Sequence, residues 1–134
     1  MDGRLLIIDD DAEVRELLSL LLGKHYSVLQ ASGGEEGLAL LAQERVRLVL
    51  LDIAMPHMDG LQVLQAALKA DKTLQIIMLT SQHEIDIARN ALEIGAAAYI
   101  TKPFDCDQLK AEVDRAMALP QAGVADARPW RRAD

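Results

Sequence analysis

Short apolar runs punctuate the chain at Leu5–Ile8, Leu48–Leu51, Ile76–Leu79 and Ala97–Ile100, with a weaker one at Val28–Ala31. They are continuous rather than alternating. A strand buried on both faces reads this way, and burial of both faces marks a parallel sheet. Between the runs, apolar positions fall at helical spacing. Val14, Leu17, Leu18, Leu21 and Leu22 predict a first helix that stops at Gly23. Leu38, Leu41 and Ala42 predict a second after the Gly33–Gly34 turn, and Leu61, Leu64 and Leu68 a third. Ile85, Ala88 and Leu92 predict a fourth closed by Gly95, and Leu109, Val113, Ala116 and Met117 a fifth. Strand followed by helix, repeated, predicts one α/β domain: a doubly wound parallel sheet with right-handed crossovers. From Pro120 the periodicity is lost, and PQAGVADARPWRRAD reads as a flexible tail or the start of a linker. Trp130 reads as part of that solvated tail.

Composition sharpens this picture in three places. The 134 residues suit a single domain, and with only 3% aromatics the core must be filled by Leu, Ile, Val and Ala. A formal net charge of −7 argues against direct nucleic-acid binding, which calls for a basic patch, and suits a site that collects a cation. The single cysteine, Cys106, excludes an internal disulfide and fits a reducing compartment. No apolar run approaches the ~18 residues that a membrane helix needs, and no signal peptide precedes Leu5. The expectation is a soluble, cytoplasmic protein.

If the strands are parallel, their carboxyl ends share one edge, and polar residues follow each of them. Asp9 and Asp10 follow the first run, Asp52 the third, Thr80 and Ser81 the fourth, and Thr101 and Lys102 the fifth. Open α/β sheets bind ligands at this edge, at the switch point between the first and third strands. Two carboxylates ~4 Å apart repel by roughly 4 kcal/mol at an effective dielectric near 20. Three together need a compensating charge. A hard divalent cation, Mg²⁺ (or Mn²⁺), supplies it through oxygen ligands, and the absence of His or Cys from these strand ends disfavours zinc. Each residue also has an ordinary role: Asp10 or Asp11 as a helix cap, Thr80 as a strand residue, Lys102 as a surface charge. The coincidence of complementary groups at one edge favours a site.

IIDDD, LLDIAMPHMDG, MLTS and GAAAYITKPF, in this order and spacing, resemble the receiver domain of two-component response regulators over Met1 to about Leu119. The resemblance implies a flavodoxin-like, CheY-like fold with strand order 2-1-3-4-5, a receiver unit over 1–119 and a tail or truncated linker over 120–134. It implies that Asp52 accepts a phosphoryl group from a sensor histidine kinase or phosphotransfer protein. Asp10, Asp52 and the backbone carbonyl of Ala54 would ligate Mg²⁺, with Asp9 acting mostly through metal-bound water. Lys102 would pair with Asp52 at rest, Thr80 would hold a phosphoryl oxygen, and the Lys102–Pro103 peptide would be cis. Ala54 and Gln82 would tune the lifetime of the phosphoryl group. Tyr99 would turn inward as Thr80 moves, changing the face made by the fourth helix, fifth strand and fifth helix. The implied protein is a switch and not a turnover enzyme, a monomer or a phosphorylation-dependent dimer whose downstream effector the sequence does not name.

Three further positions have bland readings: Cys106 near the start of the fifth helix, and His57 and His83 as surface residues beside the site. Ala97 and Ala98 stand where many DNA-binding regulators carry acidic residues, which argues against a salt-bridged dimer of their kind. An aspartyl phosphatase on a related fold would need a second Asp at position 54, which is Ala54. A flavin module would need a hydroxyl- and glycine-rich phosphate loop after the first strand, where the chain has DDDAEVRE.

Overall fold

The computed structural model describes residues 4–118; the predicted tail from Pro120, with Trp130, lies outside the described residues. The elements alternate as predicted. They run β1 (Arg4–Ile8), α1 (Ala12–Leu22), β2 (Ser27–Ala31), α2 (Gly34–Gln43), β3 (Leu48–Asp52), α3 (Gly60–Ala70), β4 (Gln75–Thr80), α4 (Ile85–Ile94), β5 (Ala98–Thr101) and α5 (Cys106–Ala118). A 3₁₀ turn, Gln82–Glu84, leads into α4. All pairings are parallel and the strand order is β2-β1-β3-β4-β5, which makes β1 and β3 neighbours at the centre.

The continuous apolar runs are explained by the two faces they fill. Leu6, Ile8, Val49, Leu51, Ile76 and Met78 point one way, into a core closed by Val63, Leu64 and Ala67 of α3 and Ala88 and Ala91 of α4. Leu5, Ile7, Leu48, Leu50, Ile77 and Leu79 point the other way, against Leu18 and Leu22 of α1 and Leu109, Val113 and Met117 of α5. Neighbours in sequence alternate between the cores because strand side chains have period two. Helix ends are set by local chemistry. Asp11 caps α1 by accepting the Glu13 amide at 2.9 Å. Asp59 and Gln62 form a reciprocal capping box at the start of α3.

The helical stripes were narrower than their periodicity predicts. Leu17 is 45% exposed and Leu92 39% exposed, although both fit the apolar spacing of their helices. In α4 the buried residues are the small Ala88 and Ala91, and Leu92 turns outward. The fifth strand is also displaced by one residue from the apolar run, to Ala98–Thr101.

One loop carries visible backbone strain. The Met58 amide donates to the Pro56 carbonyl at 2.8 Å, and the enclosed residue, His57, has φ 71°. This is a γ-turn of the positive-φ kind, which is rare for a residue with a Cβ. His57→Gly should therefore stabilise the protein by about 1 kcal/mol, the relieved strain exceeding the entropy cost of glycine. Urea unfolding reads this directly; a midpoint that falls would refute it.

Candidate functional site

The register brings the polar residues to one edge. Ile8 lies beside Leu51, Asp52 beside Leu79, and Thr80 beside Thr101, so β1, β3, β4 and β5 end almost level. The ladders continue a step beyond the strands: the Asp9 amide donates to the Ala31 carbonyl at 3.1 Å and the Lys102 amide to the Thr80 carbonyl at 2.7 Å. Carboxylate oxygens of Asp9, Asp10 and Asp52 consequently all lie within 4.8 Å of one another. The Lys102 Nζ stands between two of them, 3.0 Å from Asp9 Oδ2 and 3.3 Å from Asp52 Oδ1. The ammonium is thus shared, with the shorter contact to Asp9 rather than to Asp52 alone.

The carboxylates differ in surroundings. Asp9 is fully buried with a partner on each oxygen: besides Lys102 on Oδ2 it accepts the Asp11 amide on Oδ1 at 2.9 Å and the Arg15 guanidinium on its carbonyl at 2.7 Å. Asp10 is exposed. Asp52 is 5% exposed, and its pKa is pushed up to about 7 by burial first and by the charge of Asp9 second, against the opposing pull of Lys102. Burial pulls the Lys102 ammonium down, but the charges and hydrogen bonds of Asp52 and Asp9 outweigh it and leave its pKa raised. The cluster therefore has more negative charge than one lysine offsets. That surplus, together with hard oxygen donors and one carboxylate open to solvent, fits a divalent cation such as Mg²⁺.

The other predicted residues surround this cluster. Thr80 is fully buried at the end of β4 and donates its hydroxyl to the Ser81 carbonyl at 2.9 Å. Ala54 and Gln82 are exposed in the segments that follow β3 and β4. Tyr99, in β5, is half-buried and packs against the core on the α3–α4 side. The Lys102–Pro103 peptide is cis. His57, His83 and Cys106 are exposed, and none belongs to the carboxylate cluster.

Two residues at the site escaped the sequence pattern. Arg15 reads as a solvent charge on α1, yet its side chain runs back to the Asp9 carbonyl. Gly60 reads as a loop residue, yet a Cβ there would sit 2.5 Å from the Asp52 carbonyl oxygen. The only signal for Gly60 is its place just after the capping Asp59, at the mouth of α3.

A parallel five-stranded sheet with polar groups gathered at the β1/β3 switch point defines a doubly wound α/β protein with an edge site. Residues 5–114 match the family model described as the response regulator receiver domain. The chain is 34% identical over 120 residues to Sporulation initiation phosphotransferase F of Bacillus subtilis, covering 89% of this chain and 97% of that protein. It is 38% identical over 132 residues to Transcriptional regulatory protein GlrR of Escherichia coli, but spans only 29% of that protein's length. Among solved structures, the receiver domain of NtrX from Brucella abortus superposes with a TM-score of 0.83 at 29% identity, covering 87% of this chain and 99% of that one. Chemotaxis protein CheY4 of Vibrio cholerae superposes with a TM-score of 0.81 at 27% identity, covering 87% of this chain and 99% of that one. The chain belongs to the response regulator receiver domain family of two-component systems. Members of this family are phosphorylation-dependent signalling switches rather than turnover enzymes, and they work with histidine kinases or phosphotransfer proteins. No helix among the described residues is long and apolar enough to cross a membrane.

Proposed function

We propose that this chain is a receiver whose Asp52 takes a phosphoryl group from a histidine kinase or phosphotransfer protein. The observation that carries this reading is the Asp9–Asp10–Asp52 cluster, with Lys102 Nζ bridging its two buried members. Asp10, Asp52 and the Ala54 carbonyl would hold Mg²⁺ (or Mn²⁺), and Asp9 would support them from behind. When bound, the cation offsets charge on the phosphoryl oxygens. Phosphoryl transfer needs positioning and charge neutralisation more than covalent help. With the cation bound, Asp52 would be held as the carboxylate and would attack the phosphorus without a general base, as the bond from phosphorus to the donor's histidine breaks. Lys102 can leave Asp52 for a phosphoryl oxygen while Asp9 keeps hold of it. The Thr80 hydroxyl, bonded now only to a neighbouring carbonyl, can turn toward the same group. Tyr99 would follow into the space released, altering the α4–β5–α5 face. Ala54 and Gln82, both exposed, would set how easily water reaches the acyl phosphate and so its lifetime. Residues 1–119 would form the receiver, and 120–134 a tail or a linker to an output element.

Treatment with acetyl phosphate and Mg²⁺, followed by borohydride reduction, should convert residue 52 to homoserine. Mass spectrometry of the peptides reads the position. Modification at another carboxylate, or none at all, would overturn the assignment.

A further inference from the structure

We infer that Arg15 is a positioning residue: by holding the Asp9 carbonyl it fixes the peptide that carries Asp10, and thereby sets how tightly the acidic cluster takes a divalent cation. The inference rests on the reading of the cluster given above. The exposed Asp10 side chain takes its direction from its backbone. That backbone is held on both sides. The peptide plane entering Asp10 contains the Asp9 carbonyl, which accepts Arg15 Nη1 at 2.7 Å. The peptide leaving it contains the Asp11 amide, which donates to Asp9 Oδ1 at 2.9 Å. Of these two clamps only the first comes from another element of structure. Asp9 itself cannot shift, since its amide is tied to Ala31 and its second carboxylate oxygen to Lys102.

The placement of Arg15 is otherwise unfavourable. It lies in the first turns of α1, where a cation opposes the helix dipole. Its side chain nonetheless turns back toward the helix start, the direction helical geometry favours, and reaches six residues upstream. Glu36, which accepts the Ser32 amide and hydroxyl, lies close enough for the Arg15 charge to act on it.

Charge and positioning make opposite predictions. Removing a cation near an acidic cluster should tighten Mg²⁺ binding by Coulomb attraction alone. Releasing the Asp9 carbonyl should weaken it; bonds made directly to ligating side chains are worth about 10–100-fold in metal affinity, and a bond that fixes the peptide before Asp10 is expected at the lower end of that range. Calorimetric titration of Mg²⁺ into the unphosphorylated wild-type protein, Arg15→Met and Arg15→Lys separates them. We expect Arg15→Met to weaken binding at least roughly tenfold. Arg15→Lys, which can still donate one hydrogen bond to the carbonyl, should recover most of the affinity. Unfolding in urea with EDTA should show little difference among the three. Equal or tighter binding by Arg15→Met overturns the inference, as does a weakening matched by lost stability. Absence of Mg²⁺ binding by the wild type would overturn the underlying reading of the cluster and this inference with it. Intact wild-type binding with an indifferent Arg15→Met would overturn this inference alone.

Discussion

Asp52→Asn is expected to abolish Mg²⁺-dependent phosphoryl labelling and, in the same protein, to raise stability above pH 7. The loss follows from the proposed role of Asp52, since an amide replaces the carboxylate that would attack phosphorus. The gain follows from burial. The pKa of Asp52 rises from 3.8 to about 7 on folding, so the folded protein holds this proton more tightly than the unfolded chain. The sign is then fixed: the contribution is fully present below about pH 4 and is lost as pH rises through about 7. A shift of this size corresponds to an upper bound of about 4 kcal/mol. Asparagine removes the buried charge, while Lys102 keeps its contact with Asp9. A net stabilisation of roughly 2 kcal/mol at pH 8 is expected, in line with the cost of burying charge. Urea unfolding in EDTA at pH 5 and pH 8 measures it. The wild type should weaken markedly between the two, and the variant much less. Identical pH slopes would contradict the electrostatic account of the site.

Gly60→Ala should be the most damaging single-methyl change near the site. An added Cβ would lie 2.5 Å from the Asp52 carbonyl oxygen and 2.7 Å from the Ile53 Cα, both backbone atoms that no rotamer change can move. The Gly60 amide also donates to the Ile53 carbonyl at 2.9 Å, which locks the two segments together. Separating them costs about 3 kcal/mol by analogy with overpacked cores, against the ~1 kcal/mol that alanine returns through helix propensity. The net expectation is a destabilisation of about 2 kcal/mol. Labelling of Asp52 by acetyl phosphate should slow in parallel, because its backbone is displaced. An unfolding midpoint equal to that of the wild type would show that α3 can back away freely.

The sheet was legible because every central strand is apolar on both faces, and a run such as Leu48–Leu51 has few other places to go. Boundaries were less so. The last strand takes in Thr101, which pairs with Thr80, and starts at Ala98, although the Ala97 amide already donates to the Ile76 carbonyl at 2.8 Å. Leu17 and Leu92 satisfy helical spacing, yet spacing counts positions on a face and not the width that neighbouring elements cover. At the edge, Asp9, Asp10, Asp52, Thr80 and Lys102 could be placed together since each sits at or beside the end of an apolar run. Their unequal surroundings could not. That Asp9 is buried and partnered while Asp10 is open depends on Lys102, Arg15 and the Asp11 amide, contacts made across turns whose course no periodicity records. Gly60 is illegible for the same reason, since its need for a bare Cα comes from another segment's carbonyl.

The contact between Lys102 and Asp9 joins residues 93 positions apart. The chain reaches the end of β4, with both aspartates already supplied, well before it reaches the lysine. Until the last strand is added, the two buried carboxylates face each other with no ammonium between them, a state that burial itself opposes. The pocket thus becomes comfortable only when nearly all of the domain has been synthesised. A chain truncated before β5 carries Asp9 and Asp52 without the lysine that balances them.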